Sequence, residues 1–115
     1  MAQKEVLMLQ QINYREISKQ DSILKIYDSF NFRGHLFIVT EILHINLYEY
    51  ISKPMFFGMP RNLIKKVARQ MLTALRHLRD IRLIHCDLKP ENIVFTNESM
   101  KHVKLIDFGI AQPEA

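Results

Sequence analysis

His85-Cys86-Asp87-Leu88-Lys89-Pro90-Glu91-Asn92 runs directly into Ile93-Val94-Phe95, and after the polar stretch Thr96-Asn97-Glu98-Ser99 come Val103-Lys104-Leu105-Ile106 and Asp107-Phe108-Gly109. Two short apolar runs on either side of a polar turn predict a β-hairpin. Antiparallel pairing brings the residues before the first strand beside those after the second. If Ile93 pairs near Ile106, then Asn92 and Asp107 become neighbours at one end of the ribbon, with their oxygens facing a common point.

That placement has chemical consequences. A carboxylate and an amide oxygen are hard ligands suited to Mg²⁺, which keeps several waters and takes further ligands from substrate phosphates. Asp87, on the same loop as Asn92, adds a carboxylate at the rim that can accept a proton from a hydroxyl or orient it. Lys89 supplies a mobile positive charge for phosphoryl oxygens. Pro90 stiffens the loop that carries all three.

Working outward, Pro60 suits the start of a helix from Arg61 to about Asp80, in which Leu63, Ile64, Val67, Ala68, Met71, Leu72, Leu75 and Leu78 form one broad apolar stripe. Lys65, Lys66, Arg69, Arg76 and Arg79 on that stretch read as its solvated face. Asn46 with Glu49 has the form of a capping box, opening a short helix of about Leu47 to Lys53 that the Pro54 to Pro60 segment closes. Leu24 to Phe32 and Leu36 to Glu41, joined by the turn signal Arg33-Gly34-His35, predict another hairpin. Val6, Leu9 and Ile12, with Glu5, have helical spacing over about Gln3 to Asn13.

Composition sets the outer bounds. The chain has 115 residues, 48% hydrophobic and 24% charged, which excludes disordered and low-complexity classes and allows one core. No apolar run is long enough for a membrane span, and the start lacks the apolar stretch of a signal peptide. Sixteen Lys plus Arg against twelve Asp plus Glu give a net charge of +4, but the basic residues are scattered, so no nucleic-acid partner and no membrane partner is expected. The single cysteine, Cys86, excludes a disulfide scaffold and fits a reducing compartment. The location expected is intracellular, cytoplasmic or nuclear. His35, His44, His77 and His102 show no metal-ligand spacing.

Asp87-Leu88-x-x-x-Asn92 followed by Asp107-Phe108-Gly109 resembles the catalytic loop and metal loop of eukaryotic protein kinases. The form Asp-Leu-Lys-Pro-Glu-Asn is similar to the serine/threonine branch. Cys86 after His85, with Asn46-Leu47-Tyr48 after the hinge, looks most like the dual-specificity tyrosine-regulated kinases, with the homeodomain-interacting kinases as the alternative. The resemblance implies an α+β, protein kinase-like two-lobed fold, of which the chain is the central fragment. Residues 1–41 would be a small-lobe remnant with a helix and a hairpin, and residues 42–115 the hinge, large-lobe helices and catalytic hairpin. It implies ATP and Mg²⁺ as cofactors and transfer of the ATP γ-phosphate to a Ser/Thr, or in the dual-specificity case Tyr, hydroxyl of a protein substrate. Asp87 would orient or deprotonate that hydroxyl and Lys89 would contact the transferred phosphate. Asn92 and Asp107 would hold magnesium. Thr40 would be the gatekeeper, the backbone of Glu41 and Leu43 would bind adenine, and Val94 would floor its pocket. Glu5 would sit on the helix that pairs the nucleotide lysine.

Departures from the family pattern qualify this. No Gly-x-Gly-x-x-Gly stretch occurs among Gly34, Gly58 and Gly109, and Glu5 has no lysine partner in the chain, so it reads equally as a first-turn glutamate favoured by the helix dipole. Cys86 replaces the usual arginine before Asp87, which removes a partner for a phosphorylated activation loop. His85 reads as a structural residue that holds backbone by a hydrogen bond. The stripe on the long helix is expected to expose apolar surface, giving a marginal or sticky monomer. The reading of the chain alone is therefore a kinase of weak or no activity. The alternatives are a non-catalytic binding or regulatory fragment, or a partial gene product.

Overall fold

Arg33 and Gly34 both have positive φ, 51° and 78°, which is what a two-residue type I′ turn requires and what glycine adopts without steric cost. They join β1 (Ile26–Phe32) to β2 (His35–Thr40) in antiparallel register, Phe32 opposite His35 and Phe30 opposite Phe37. The turn is one residue shorter than the sequence suggests, because His35 already pairs. In the computed structural model, residues 22–54, 56–108 and 111–113 are described, together with Leu7. The helix expected over Gln3 to Asn13, Glu5 included, lies outside the described residues except for Leu7, which is helical and exposed. Gly109 also lies outside them.

Alternation sorts the hairpin into two faces. Phe30 stacks on Phe37 with ring centroids 5.3 Å apart, and Phe32 meets Phe37 edge-on, all on the outer face. Leu36, Ile38 and Thr40 occupy the other, half-buried face. Leu24, expected in the first strand, serves another ladder. Its N–H donates to the Leu105 carbonyl at 3.0 Å, while Leu105 donates to Ser22 at 2.8 Å.

The second hairpin is the frame of the molecule. β4 (Ile93–Phe95) pairs with β5 (Val103–Leu105), with Ile93 opposite Leu105 and Phe95 opposite Val103. The partner expected near Ile106 is Leu105, one residue earlier. Ile106 leaves the strand, and its N–H donates to the Asn92 carbonyl at 3.0 Å, so Asn92 is the residue facing Ile106. The connection is longer than the Thr96–Ser99 turn read from sequence: Thr96 N–H bonds the His102 carbonyl at 2.9 Å and Met100 folds back against the core. On the far side of β4, His44 N–H donates to Phe95 and Phe95 N–H to Ile45. Backbone hydrogen bonds therefore run continuously from residues 44–45 through β4 and β5 to residues 22–24.

Asn46 opens α1 (Leu47–Ile51) with a full capping box, its Oδ1 accepting from Glu49 N–H at 2.7 Å and Glu49 Oε1 accepting from Asn46 N–H at 3.1 Å. The helix stops at Ile51, two residues before the expected end. α2 (Arg61–Asp80) begins directly after Pro60, as read from sequence. Its Val67, Met71, Ala74 and Leu78 are buried, and Leu63 and Leu75 pack alongside. Ile64, Ala68 and Leu72 do not belong to this buried stripe and are exposed, as are Lys65, Lys66, Arg69, Arg76 and Arg79. The core lies between α2 and the second hairpin, around Ile23, Leu78, Phe95, Val103, Leu105 and Phe108. Tyr50 of α1 closes one end, edge-on to Phe95 at 5.5 Å.

A further pairing has no sequence signal. β3 (Leu83–Ile84) is antiparallel to β6 (Gln112–Pro113), which returns the chain from the Asp107 loop to the foot of the Asp87 loop. No helix among the described residues is long and apolar enough to cross a membrane.

Candidate active site

Pro90 fixes the first position of a single 3₁₀ turn, Pro90–Asn92, closed by Asn92 N–H to the Lys89 carbonyl at 2.9 Å. This turn buries Asn92 directly before β4. Its side-chain amide then points back along the loop, donating to the Asp87 carbonyl at 2.9 Å and reaching the Asp87 carboxylate at 3.3 Å. Lys89 Nζ stands 3.4 Å from the other carboxylate oxygen. Asp87 is therefore held by an amide on one side and faced by an ammonium on the other, while remaining partly open to solvent.

The loop is locked to the Asp107 strand through His85. This ring is buried, with Nε2 2.8 Å from the Ile106 carbonyl and Nδ1 3.1 Å from the Asp87 backbone N–H. A carbonyl can only accept and an N–H can only donate, so the neutral ring with its proton on Nε2 satisfies both. Four hydrogen bonds close a ring: His85 to Ile106, Ile106 to Asn92, Asn92 to Asp87, and Asp87 back to His85. Phe108, fully buried, sits edge-on to the same imidazole at 4.9 Å.

Two corners of this assembly carry left-handed backbone at non-glycine residues, Cys86 with φ 70° and Asp107 with φ 62°. Such conformations cost on the order of 1–3 kcal/mol each and persist where surrounding contacts impose them. Here each is flanked by a buried ring, Cys86 by His85 and Asp107 by Phe108. Asp107 is exposed, at the mouth of the ring, one residue beyond the partner of Asn92.

The donor set fits magnesium. Asn92 spends its NH₂ group on Asp87, which turns its amide oxygen away from that partner, and Asp107 adds a carboxylate. One or two hard oxygens, with the rest from water and phosphate, is the ligand set Mg²⁺ takes. Among the described residues no group of three or more His, Cys, Asp and Glu could form an all-protein metal cage.

The remaining sequence-derived residues gather at the junction of the two hairpins. Thr40 ends β2, its hydroxyl donating to the Glu41 carbonyl at 3.1 Å. Glu41 N–H extends the ladder to the Lys25 carbonyl, and Leu43 lies directly before the His44 bond to β4. Val94 is buried but stands outside the core cluster, because alternation turns it to the face opposite Ile93 and Phe95.

Two residues of this frame carry no local sequence signal, and a third carries only part of one. Lys104 bonds Glu41 at 2.6 Å across 63 positions. Gln70 of α2 accepts from Val103 N–H at 2.7 Å and meets His102 Nδ1 at 2.7 Å, clamping the hairpin loop. His85 is visible as a motif residue, but its second bond, to Ile106, needs the register.

Comparison with known proteins places the chain in a family. Residues 1–114 match the protein kinase domain family. The chain is 41% identical over 108 residues to the dual specificity tyrosine-phosphorylation-regulated kinase mbk-2 of Caenorhabditis elegans, covering 94% of this chain and 13% of that protein. It is also 41% identical over 108 residues to the serine/threonine-protein kinase ppk15 of Schizosaccharomyces pombe, covering 93% of this chain and 20% of that protein. The chain thus spans between an eighth and a fifth of the length of these curated relatives.

Proposed function

Since the chain belongs to the protein kinase domain family, we propose that it forms the catalytic and hinge portion of an ATP-dependent kinase of serine/threonine or dual-specificity type. The observation that supports this best is the closed hydrogen-bond ring, which holds Asp87, Asn92 and the Asp107 strand in one rigid unit. On this reading residues 1–41 are the end of the small lobe and residues 42–115 the hinge and the start of the large lobe. On the same reading Glu5 would be the lysine-pairing glutamate of that small lobe. A cytoplasmic or nuclear location belongs to the same reading, supported by the lone, exposed Cys86.

In the reaction the oxygen of a protein Ser, Thr or Tyr hydroxyl attacks the γ-phosphorus of ATP. The bond from that phosphorus to the β,γ-bridging oxygen breaks, and ADP departs. Asp87 orients the hydroxyl and receives its proton. Lys89 follows the charge on the transferred phosphoryl oxygens, being close enough to Asp87 to serve the same group. Asn92 and Asp107 are the residues that would hold magnesium, which neutralises phosphate charge when bound. Thr40, the Glu41 and Leu43 backbone, and Val94 bind the adenine.

A second reading is favoured by the glycines. Gly34, Gly58 and Gly109 are too far apart to form a glycine-rich phosphate loop, so these 115 residues by themselves bind without efficient turnover and act as a regulatory piece. Transfer of labelled γ-phosphate to a protein acceptor, lost on Asp107→Ala, supports the first reading. Nucleotide or protein binding with no transfer supports the second, and absence of both nucleotide binding and transfer removes the first.

A further inference from the structure

We infer that Lys104 is a positioning residue for adenine recognition, acting through Glu41. The inference rests on the hinge reading of Thr40 to Leu43 and adds to it a residue from the opposite end of the chain.

Lys104 stands directly opposite Val94 in the β4–β5 ladder, so both side chains emerge on the same face of the hairpin, away from the core. From there its ammonium reaches Glu41 Oε2 at 2.6 Å, with both side chains largely shielded from solvent, 13% and 18% exposed. The same carboxylate oxygen accepts the Lys25 backbone N–H at 2.7 Å. Glu41 in turn donates its own N–H to the Lys25 carbonyl at 3.1 Å. Glu41 is thus tied at three points: its N–H to Lys25, its Oε2 to Lys25 and Lys104, and its carbonyl to the Thr40 hydroxyl, which leaves the second lone pair of that carbonyl for a base.

This arrangement fixes the peptide between Glu41 and Leu43 relative to Val94. Backbone groups that recognise a flat base are useful only if they lie at a set height above the pocket floor, and Lys104 is the one charged tie between these two surfaces among the described residues. Charge-assisted hydrogen bonds shielded from water are stronger than neutral ones and geometrically specific. Removing the ammonium leaves Glu41 a shielded carboxylate with one donor fewer, so the hinge peptide shifts toward solvent to rehydrate it. Lys104 itself touches no part of the nucleotide. It sets where the groups that do so stand.

The test is equilibrium binding of adenosine and of Mg·ATP to the protein and to three variants. Lys104→Met should weaken adenosine and ATP by the same factor, roughly tenfold, the coupling expected between a shielded ion pair and an adjacent site. Lys104→Arg should restore most of it. Asp107→Asn should spare adenosine and abolish the magnesium-dependent gain of ATP, which separates the two ends of the site. Should Lys104→Met fail to fold, Glu41→Gln decides, since it keeps the acceptor for Lys25 while removing the charge; adenosine should again weaken. Unchanged adenosine binding in the folded variants overturns the inference, as does a loss for ATP that exceeds the loss for adenosine. If the parent protein binds neither ligand, the hinge reading itself fails and takes the inference with it.

Discussion

The ring nitrogen Nε2 of His85 lies 2.8 Å from the carbonyl oxygen of Ile106, and this one hydrogen bond spans 21 positions to tie the Asp87 loop to the strand that delivers Asp107. Because the opposite ring nitrogen accepts the Asp87 backbone N–H, a single buried side chain sets both halves of the candidate site.

Replacing His85 by Ala should therefore destabilise the protein well beyond the average surface change. It leaves the Ile106 carbonyl and the Asp87 N–H without their partner and opens space beside Phe108. Each buried polar group left unsatisfied costs about 1–3 kcal/mol. A lowered denaturant midpoint with unchanged slope is the expected result, measured by circular dichroism.

Asp87→Asn should separate chemistry from structure. The amide keeps an oxygen for Asn92 Nδ2, and Lys89, about half exposed, loses an ion pair worth little to stability. What disappears is the carboxylate proposed to receive the hydroxyl proton. Phosphoryl transfer should fall by about 10²–10⁴-fold while nucleotide affinity is maintained, as read by single-turnover transfer and by ligand-induced thermal shift.

Local pattern carries most of the fold. Both bounds of α2 come from Pro60 and the apolar periodicity, and Asn46 with Glu49 announces α1 because a capping box needs only four consecutive residues. Pattern alone locates the hairpin pairing near Ile106 but not its exact register, since nothing in Val103 to Ile106 says that Ile106 will leave the ladder to bond Asn92 instead. β3 and β6 are invisible in the sequence because each is two residues long and its partner is distant. In the site, Asp87, Lys89 and Asn92 are legible as a motif, whereas Lys104 is not. Its significance depends on Glu41, and neither hydrophobic period nor turn chemistry connects two charges on different hairpins.

Asn46→Ala should weaken α1 without touching the chemistry. It deletes the side-chain acceptor for Glu49 N–H and leaves the return bond, from the backbone N–H of residue 46 to Glu49 Oε1, as the remaining half of the box. Loss of such a cap costs about 1 kcal/mol. Chemical denaturation should show that decrease, and adenosine affinity should stay within about a factor of five, a bound set by the size of the cap itself.

The exposed side of α2 should govern self-association of the 115-residue chain. Ile64, Ala68 and Leu72 recur every four residues and so align along one stripe, with Ile64 51% and Leu72 67% exposed. The sequence places Val67, Met71 and Leu78 on an adjoining stripe that is buried, so the helix carries two apolar faces and satisfies only one of them. Uncovered apolar surface of this kind promotes association. Leu72→Glu interrupts the open stripe at the more exposed of its two large members. The new carboxylate stands four residues before Arg76 and three after Arg69, where pairs of opposite charge favour the helix by about 0.2–0.5 kcal/mol. Sedimentation velocity should therefore show less self-association for the variant than for the parent, with unfolding free energy unchanged within about 0.5 kcal/mol. Equal association in the two proteins would assign the stickiness to another surface, and the outer face of β1 and β2, where Phe30, Phe32 and Phe37 stack in the open, would be the next to alter.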